Sequence, residues 1–250
     1  MGYTIAIAGK GGTGKTTLAA LIVRVIREKK LGSVLAVDAD PNSNLAEALG
    51  IEIKETIGSI LEEISLHPEK IPSGMPKDRF MEYRLQTAIA EGNGFDILVM
   101  GRPEGPGCYC YVNNVLRNIM SKLVKDYDYI VIDNEAGLEH LSRRTSRDAQ
   151  ALLVISDATK VGLKSAKRIN ELAGELGVKI KKRLLIINQH DQEVNKEVIK
   201  DSGLEYIGNM PLDNNITEVS LNGNSLLGLD NDSPGLKTLR EIGDKIWQEN

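Results

Sequence analysis

The stretch Gly9-Lys10-Gly11-Gly12-Thr13-Gly14-Lys15-Thr16-Thr17 constrains this chain more than any other. It follows Tyr3–Ala8, an apolar run with enough β-branched residues to predict a buried strand. It precedes Leu18–Lys29, where Leu18, Leu21, Ile22, Val25 and Ile26 recur at helical spacing. A glycine loop between a strand and a helix is the setting in which G-x-x-x-x-G-K-[ST] wraps a polyphosphate. Gly11, Gly12, Thr13 and Gly14 allow successive backbone N–H groups to point inward, and a helix starting near Lys15 adds its positive end. Lys15 then reaches the β- and γ-phosphates, Thr16 is placed to ligate Mg²⁺, and Thr17 completes the cradle. The stretch implies a bound nucleoside triphosphate.

Lys10 is a second lysine inside the loop, giving K-G-G-T-G-K-T-T. This resembles the deviant Walker A of the MinD/ParA/ArsA/nitrogenase-iron-protein group of P-loop ATPases. The resemblance implies ATP as nucleotide and a homodimer in which Lys10 crosses to the partner's nucleotide. A cation delivered in trans would neutralise charge on the transferring phosphoryl group, as an arginine finger does elsewhere.

The remaining chain alternates strand and helix patterns. Ser33–Asp38, Phe95–Gly101, Asp128–Asp133, Ala151–Ser156 and Lys182–Asn188 read as strands, with helices over Leu45–Leu49, Glu55–Ile64, Lys77–Ala90 and Gly162–Leu176. A final amphipathic helix carries Leu236, Leu239, Ile242 and Ile246. The apolar residues are mostly Leu, Ile, Val and Ala, and aromatics make up only 4% of the chain, which suits a parallel sheet covered on both faces. The fold class expected is α/β, a doubly wound and mainly parallel sheet in a single P-loop domain over residues 1–250.

A net charge of −4 argues against non-specific nucleic-acid binding. Neither a transmembrane run nor a signal peptide is apparent, and the last helix has mixed charges on its polar face, so a cytoplasmic protein without membrane attachment is expected.

Asp38-Ala39-Asp40-Pro41 ends the second strand, where open α/β sheets place their ligands. Both aspartates would approach the phosphates if this strand lay beside the first. In the resembled group the segment is switch I: Asp40 would orient the attacking water and Asp38 would hold a water of the Mg²⁺ shell. Two loop carboxylates capping the next helix are the alternative.

Cys108 and Cys110 are the two cysteines, in a loop shaped by glycine and proline ahead of a helix expected near Val112. One Cys-x-Cys offers too few soft ligands to close a site, whereas two copies on a dimer axis offer four. Ni²⁺, Zn²⁺ and Cu⁺ all suit thiolates, and the residues alone do not choose. Two half-buried small hydrophobes and a redox pair remain open readings.

Together with the phosphate loop and D-A-D-P, the G-C-Y-C-Y run resembles the CooC-type nickel-inserting ATPases that mature carbon monoxide dehydrogenase, and their relatives serving acetyl-CoA synthase. Asp133-Asn134-Glu135-Ala136-Gly137-Leu138-Glu139-His140 resembles that family's switch II. The resemblance implies that Asp133 acts through the Mg²⁺ shell and Gly137 follows the γ-phosphate. It also implies that Asn188 reads the adenine edge and that Pro211, Leu212 and Asp213 touch the base through their main chain. Glu139 and His140 would couple switch and interface or make structural hydrogen bonds. Arg143, Arg144 and Arg147 read as a solvated face, with contact to nucleotide or an acidic client as the alternative.

The function implied is an ATP-driven metallochaperone loading Ni²⁺ into such a client enzyme, with Zn²⁺ able to occupy the same thiolates. An Fe–S scaffold or electron-transfer ATPase like the nitrogenase iron protein is the alternative, weakened because that protein uses two well-separated cysteines. A positioning switch of the MinD/ParA kind would leave the cysteine pair without a role.

Overall fold

The computed structural model describes residues 2–101, 125–135, 148–177, 179–192, 194 and 196–247. Cys108, Cys110, Gly137, Glu139, His140 and the three arginines of 143–147 lie outside the described residues, as does the helix expected from Val112.

Among the described residues, eight strands form one sheet: β1 (Tyr3–Gly9), β2 (Val34–Asp38), β3 (Ala90–Glu91), β4 (Asp96–Val99), β5 (Tyr129–Asp133), β6 (Asp148–Ser156), β7 (Lys179–Ile187) and β8 (Glu205–Asn209). Their order is β3-β4-β2-β5-β1-β6-β7-β8, and every pairing is parallel except β3 with β4. The described helices are α1 (Lys15–Glu28), α2 (Asn44–Leu49), α3 (Ile57–Leu66), α4 (Lys77–Thr87), α5 (Lys160–Glu175), α6 (Lys196–Asp201), α7 (Asn214–Leu221), α8 (Pro234–Ile242) and α9 (Asp244–Trp247).

Alternating side chains divide each strand between two apolar faces. Ile5, Ile7, Val131, Leu153 and Leu184 pack with α1, α2, α8 and Trp247 on one face. On the other, Leu35, Val37, Leu98, Ile130 and Ile132 pack with α3 and α4, while Ala6, Ala8, Leu152, Val154 and Leu185 pack with α5 and Ile199 of α6. The sheet is therefore doubly wound, as expected.

Several boundaries differ from the sequence reading. The helix pattern over Lys77–Ala90 stops at Thr87, and Ala90–Glu91 instead pairs antiparallel with β4. β6 and β7 each begin three residues before the expected strands, at Asp148 and Lys179, and their first residues pair with one another. Gln150 also accepts a hydrogen bond from the Thr4 N–H at 2.6 Å, so a polar residue has a place in the early part of β6. The short helices α6 and α7 carry too few turns to show a periodic pattern.

β2 does not lie beside β1, because β5 is inserted between them. Asp38 reaches the phosphate end of the sheet by register: Asp38 pairs with Asp133, and Asp133 pairs with Ile7.

Candidate functional site

The loop between β1 and α1 closes on one carbonyl. The Thr13 hydroxyl donates to Lys10 O at 2.8 Å, the Thr13 N–H does so at 3.3 Å, and the Lys15 ammonium lies 3.5 Å from the same oxygen. Gly12 and Gly14 hold φ of 79° and 88°, left-handed conformations in which a side chain is strained. A Cβ at Gly14 would also run into the Asn188 amide. Lys10, Gly11 and Gly12 are exposed at the loop's crest, whereas Thr13 and Lys15 are buried.

Helix α1 begins without a side-chain cap and without an acidic residue in its first turn. In contrast, α3, α5, α7 and α8 are capped by Thr56, Thr159, Asp213 and Ser233. The first N–H groups of a 14-residue helix are thus left facing the glycine loop, an arrangement that binds anions.

Behind the loop, the Thr16 hydroxyl donates to Asp133 Oδ2 at 2.6 Å. Asp133 Oδ1 is buried and has no hydrogen-bond partner. Burial pushes the Asp133 carboxyl up to about 6, against the Thr16 hydrogen bond and the nearby Lys15 charge. Burial also raises Asp38, to about 7, with the Asp133 charge adding to it. Two buried carboxylates, one with an orphaned oxygen beside a threonine hydroxyl, form an all-oxygen donor set that fits Mg²⁺. A divalent cation would supply the charge that burial withholds.

Asp38 is placed more tightly than the sequence suggested. Its Oδ2 accepts from Leu45 N at 2.8 Å and its Oδ1 from Asp40 N at 3.1 Å. It therefore caps α2 from seven residues away, whereas the adjacent Ser43 makes no side-chain cap. Asp40 is half-buried, and its Oδ1 accepts from Asn42 N at 2.9 Å.

At the far end of the site, Asn188 follows β7 and donates from Nδ2 to Thr13 O at 2.8 Å. This tie between the phosphate loop and the expected base-reading residue was not apparent in the sequence, because 175 residues separate the partners. Bonds from Met210 N to Ile187 O and from His190 N to Met210 O bring Pro211–Asp213 beside the same strand end. Leu212 is exposed there. The Asp213 carboxylate is spent on structure, accepting from Asn215 N, Ser233 Oγ and Gly235 N. Burial opposes its ionisation, but these bonds outweigh burial and hold it below the usual carboxylate range.

Residues 4–226 match the model of the CobQ/CobB/MinD/ParA nucleotide-binding domain. The chain belongs to this family. As a CobQ/CobB/MinD/ParA member it is a P-loop ATPase of the MinD/ParA type. An ATP-binding protein of Methanocaldococcus jannaschii is 45% identical over 247 residues, covering 97% of both chains. The carbon monoxide dehydrogenase accessory protein CooC of Rhodospirillum rubrum is 30% identical over 188 residues, 70% of each chain. The fold matches the septum site-determining protein MinD of Pyrococcus horikoshii, solved with Mg-ADP, with a TM-score of 0.72. That match covers 98% of this chain and 96% of the other at 22% identity. Among the described residues of this family member, no helix is long and apolar enough to cross a membrane, and no group of three or more His, Cys, Asp or Glu could hold a metal.

Proposed function

We propose that this ATPase is a nickel metallochaperone, acting as a homodimer in the cytoplasm on carbon monoxide dehydrogenase or acetyl-CoA synthase. One observation carries the reading: a chain related to CooC over 70% of its length also has a Cys-x-Cys pair. Cys108 and Cys110 from two subunits would supply four thiolates for Ni²⁺, with the chain of residues 1–250 acting as one ATPase unit.

The ATPase chemistry rests on the loop and the strand ends. Gly11–Thr17 would hold the phosphates through N–H groups, and Asn188 with Pro211–Asp213 would flank the base. Thr16, Asp133 and Asp38 would hold Mg²⁺, directly or through its waters. The bound ion neutralises charge on the phosphate oxygens. Lys15 would reach the β- and γ-phosphates, Lys10 would add a cation from the partner, and Gly137 would follow the γ-phosphate. Asp40, with one carboxylate oxygen not used by Asn42, would orient water for in-line attack on the γ-phosphorus, breaking the bond to the ADP oxygen. Closure and reopening of the dimer would then tighten and release the thiolate site.

Titration of metal-free protein with Ni²⁺, with and without ATP, tests the proposal. One Ni²⁺ per two chains is expected, with thiolate-to-metal absorption that ATP alters and that Cys108→Ala/Cys110→Ala abolishes. Zn²⁺ should compete for the same thiolates. Absence of binding, or binding that survives the double substitution, would leave an ATPase without this cargo.

A further inference from the structure

Asn134 is 1% exposed and directly follows Asp133. Its backbone N–H and its Nδ2 both donate to the carbonyl of Ile7, at 3.2 and 2.8 Å. A longer contact from Nδ2 reaches Ile132 O at 3.5 Å. Its Oδ1 is buried and accepts no hydrogen bond. Turning the amide over would set Oδ1 against the Ile7 and Ile132 carbonyl oxygens, so the hydrogen bonds fix its orientation. A buried acceptor without a donor is destabilising, and an apolar side chain of the same shape would avoid that cost.

Asn134 stands where two parts of the site are set against each other. Ile7 lies two residues before Gly9, at the root of the phosphate loop, and pairs with Asp133. The spacing of β1 and β5 at this level fixes Asp133 relative to Lys10–Thr16. A diphosphate is served by the loop N–H groups and the start of α1, which the fold already presents. The γ-phosphoryl end is the part that also depends on Asp133 and on the position of the carboxyl end of β5.

We propose that Asn134 is a positioning residue that makes the site favour triphosphate over diphosphate. Nδ2 holds the end of β5 to β1. Oδ1 gains its donor, a water or an N–H group, in the arrangement that the triphosphate induces. The hydrogen bond that Oδ1 does not make within the fold is thereby gained as discrimination. This rests on the family's ATP chemistry and not on the nickel reading, so loss of Ni²⁺ binding would leave it standing.

Two variants test it, each read in two ways. Asn134→Leu keeps most of the volume and removes both polar atoms; Asn134→Ser keeps a donor for the Ile7 carbonyl but cannot reach the position of Oδ1. Thermal midpoints are measured without ligand, and calorimetric affinities are measured for AMP-PNP and ADP with Mg²⁺. Asn134→Leu should match or exceed the wild-type midpoint while its preference for AMP-PNP over ADP falls about tenfold, the size of one hydrogen bond. Asn134→Ser should show the same loss of preference, which decides the matter if the leucine variant does not fold. Equal losses for both nucleotides, or an unchanged preference, would overturn the proposal whatever the midpoints do, since a merely structural residue leaves the ratio alone.

Discussion

Asp133→Asn is expected to make the ligand-free protein more stable at pH 8 while nearly abolishing ATP hydrolysis. The wild-type carboxyl ionises near 6 in the fold, against 3.8 as its ordinary value, because it is buried. Between those pH values the folded chain holds a proton that the unfolded chain has released, so stability falls as pH rises. Above pH 7 the burial of this charge costs the fold about 3 kcal/mol. Asparagine removes that cost but places an NH₂ group where Oδ1 now sits without a partner, returning about 1–2 kcal/mol. The net gain at pH 8 should be about 1–2 kcal/mol, or roughly 2–8 °C for a chain of this size. At pH 5 the wild-type carboxyl is largely protonated and the gain should vanish. Asp38, raised to about 7, adds to the same fall in wild-type stability between about pH 4 and 7. Hydrolysis should drop about 10³-fold if Asp133 acts in the Mg²⁺ shell, in line with the loss of a preorganised charge at a phosphoryl centre. Melting curves at both pH values and single-turnover hydrolysis decide this. A variant less stable at pH 8 than at pH 5, relative to wild type, would show that Asp133 is buried as a satisfied partner of Thr16 and not as a waiting ligand.

The unit from Tyr3 to Glu28 was legible because strand, loop and helix are contiguous and each carries a local signal. The strand ends Asp38, Asp133 and Asn188 were legible for the same reason: an apolar run stops at a polar residue. What they touch was not. Asp38 caps a helix seven residues on, Asn188 bonds to a loop 175 residues away, and the insertion of β5 between β1 and β2 depends on long crossovers. Such pairings leave no periodic trace in one sequence. Asn134 gave a weak signal, a carboxamide immediately after the Asp133 that ends a run of Tyr, Ile and Val, but nothing local showed that half of the amide would be left unpartnered. The short β3, α6 and α7 escaped because two to eight residues are too few for a period to emerge.

Arg24→Ala should be strongly destabilising although it lies outside the nucleotide site. Arg24 lies on α1 with only 4% of its surface exposed. Its Nη1 donates to the carbonyls of Leu226 and Leu229 at 3.1 and 2.6 Å, its Nη2 to Asn231 Oδ1 at 3.0 Å, and its Nε to Glu28 at 2.7 Å. Arg240 joins the same Glu28 and Asn231, at 2.8 and 2.7 Å. Burial opposes ionisation of Glu28, and the two guanidinium groups outweigh it. One side chain thus ties the helix that carries the phosphate loop to the 226–231 segment, which Asp213 and Ser233 link onward to the loop of Pro211–Asp213. Removing the guanidinium leaves buried carbonyls unpaired as well as a cavity, and the loss should be about 3–5 kcal/mol. For a chain of this size that is a fall of about 6–20 °C in the thermal midpoint. Lysine should not restore it, since one ammonium cannot match a planar fork that serves three loop acceptors. Hydrolysis at 20 °C should stay within about threefold, because the loop glycines, Lys15 and Asp133 do not depend on this contact. A fall of less than about 3 °C would mean that Leu226 and Leu229, both buried against α1, hold the segment by apolar packing alone.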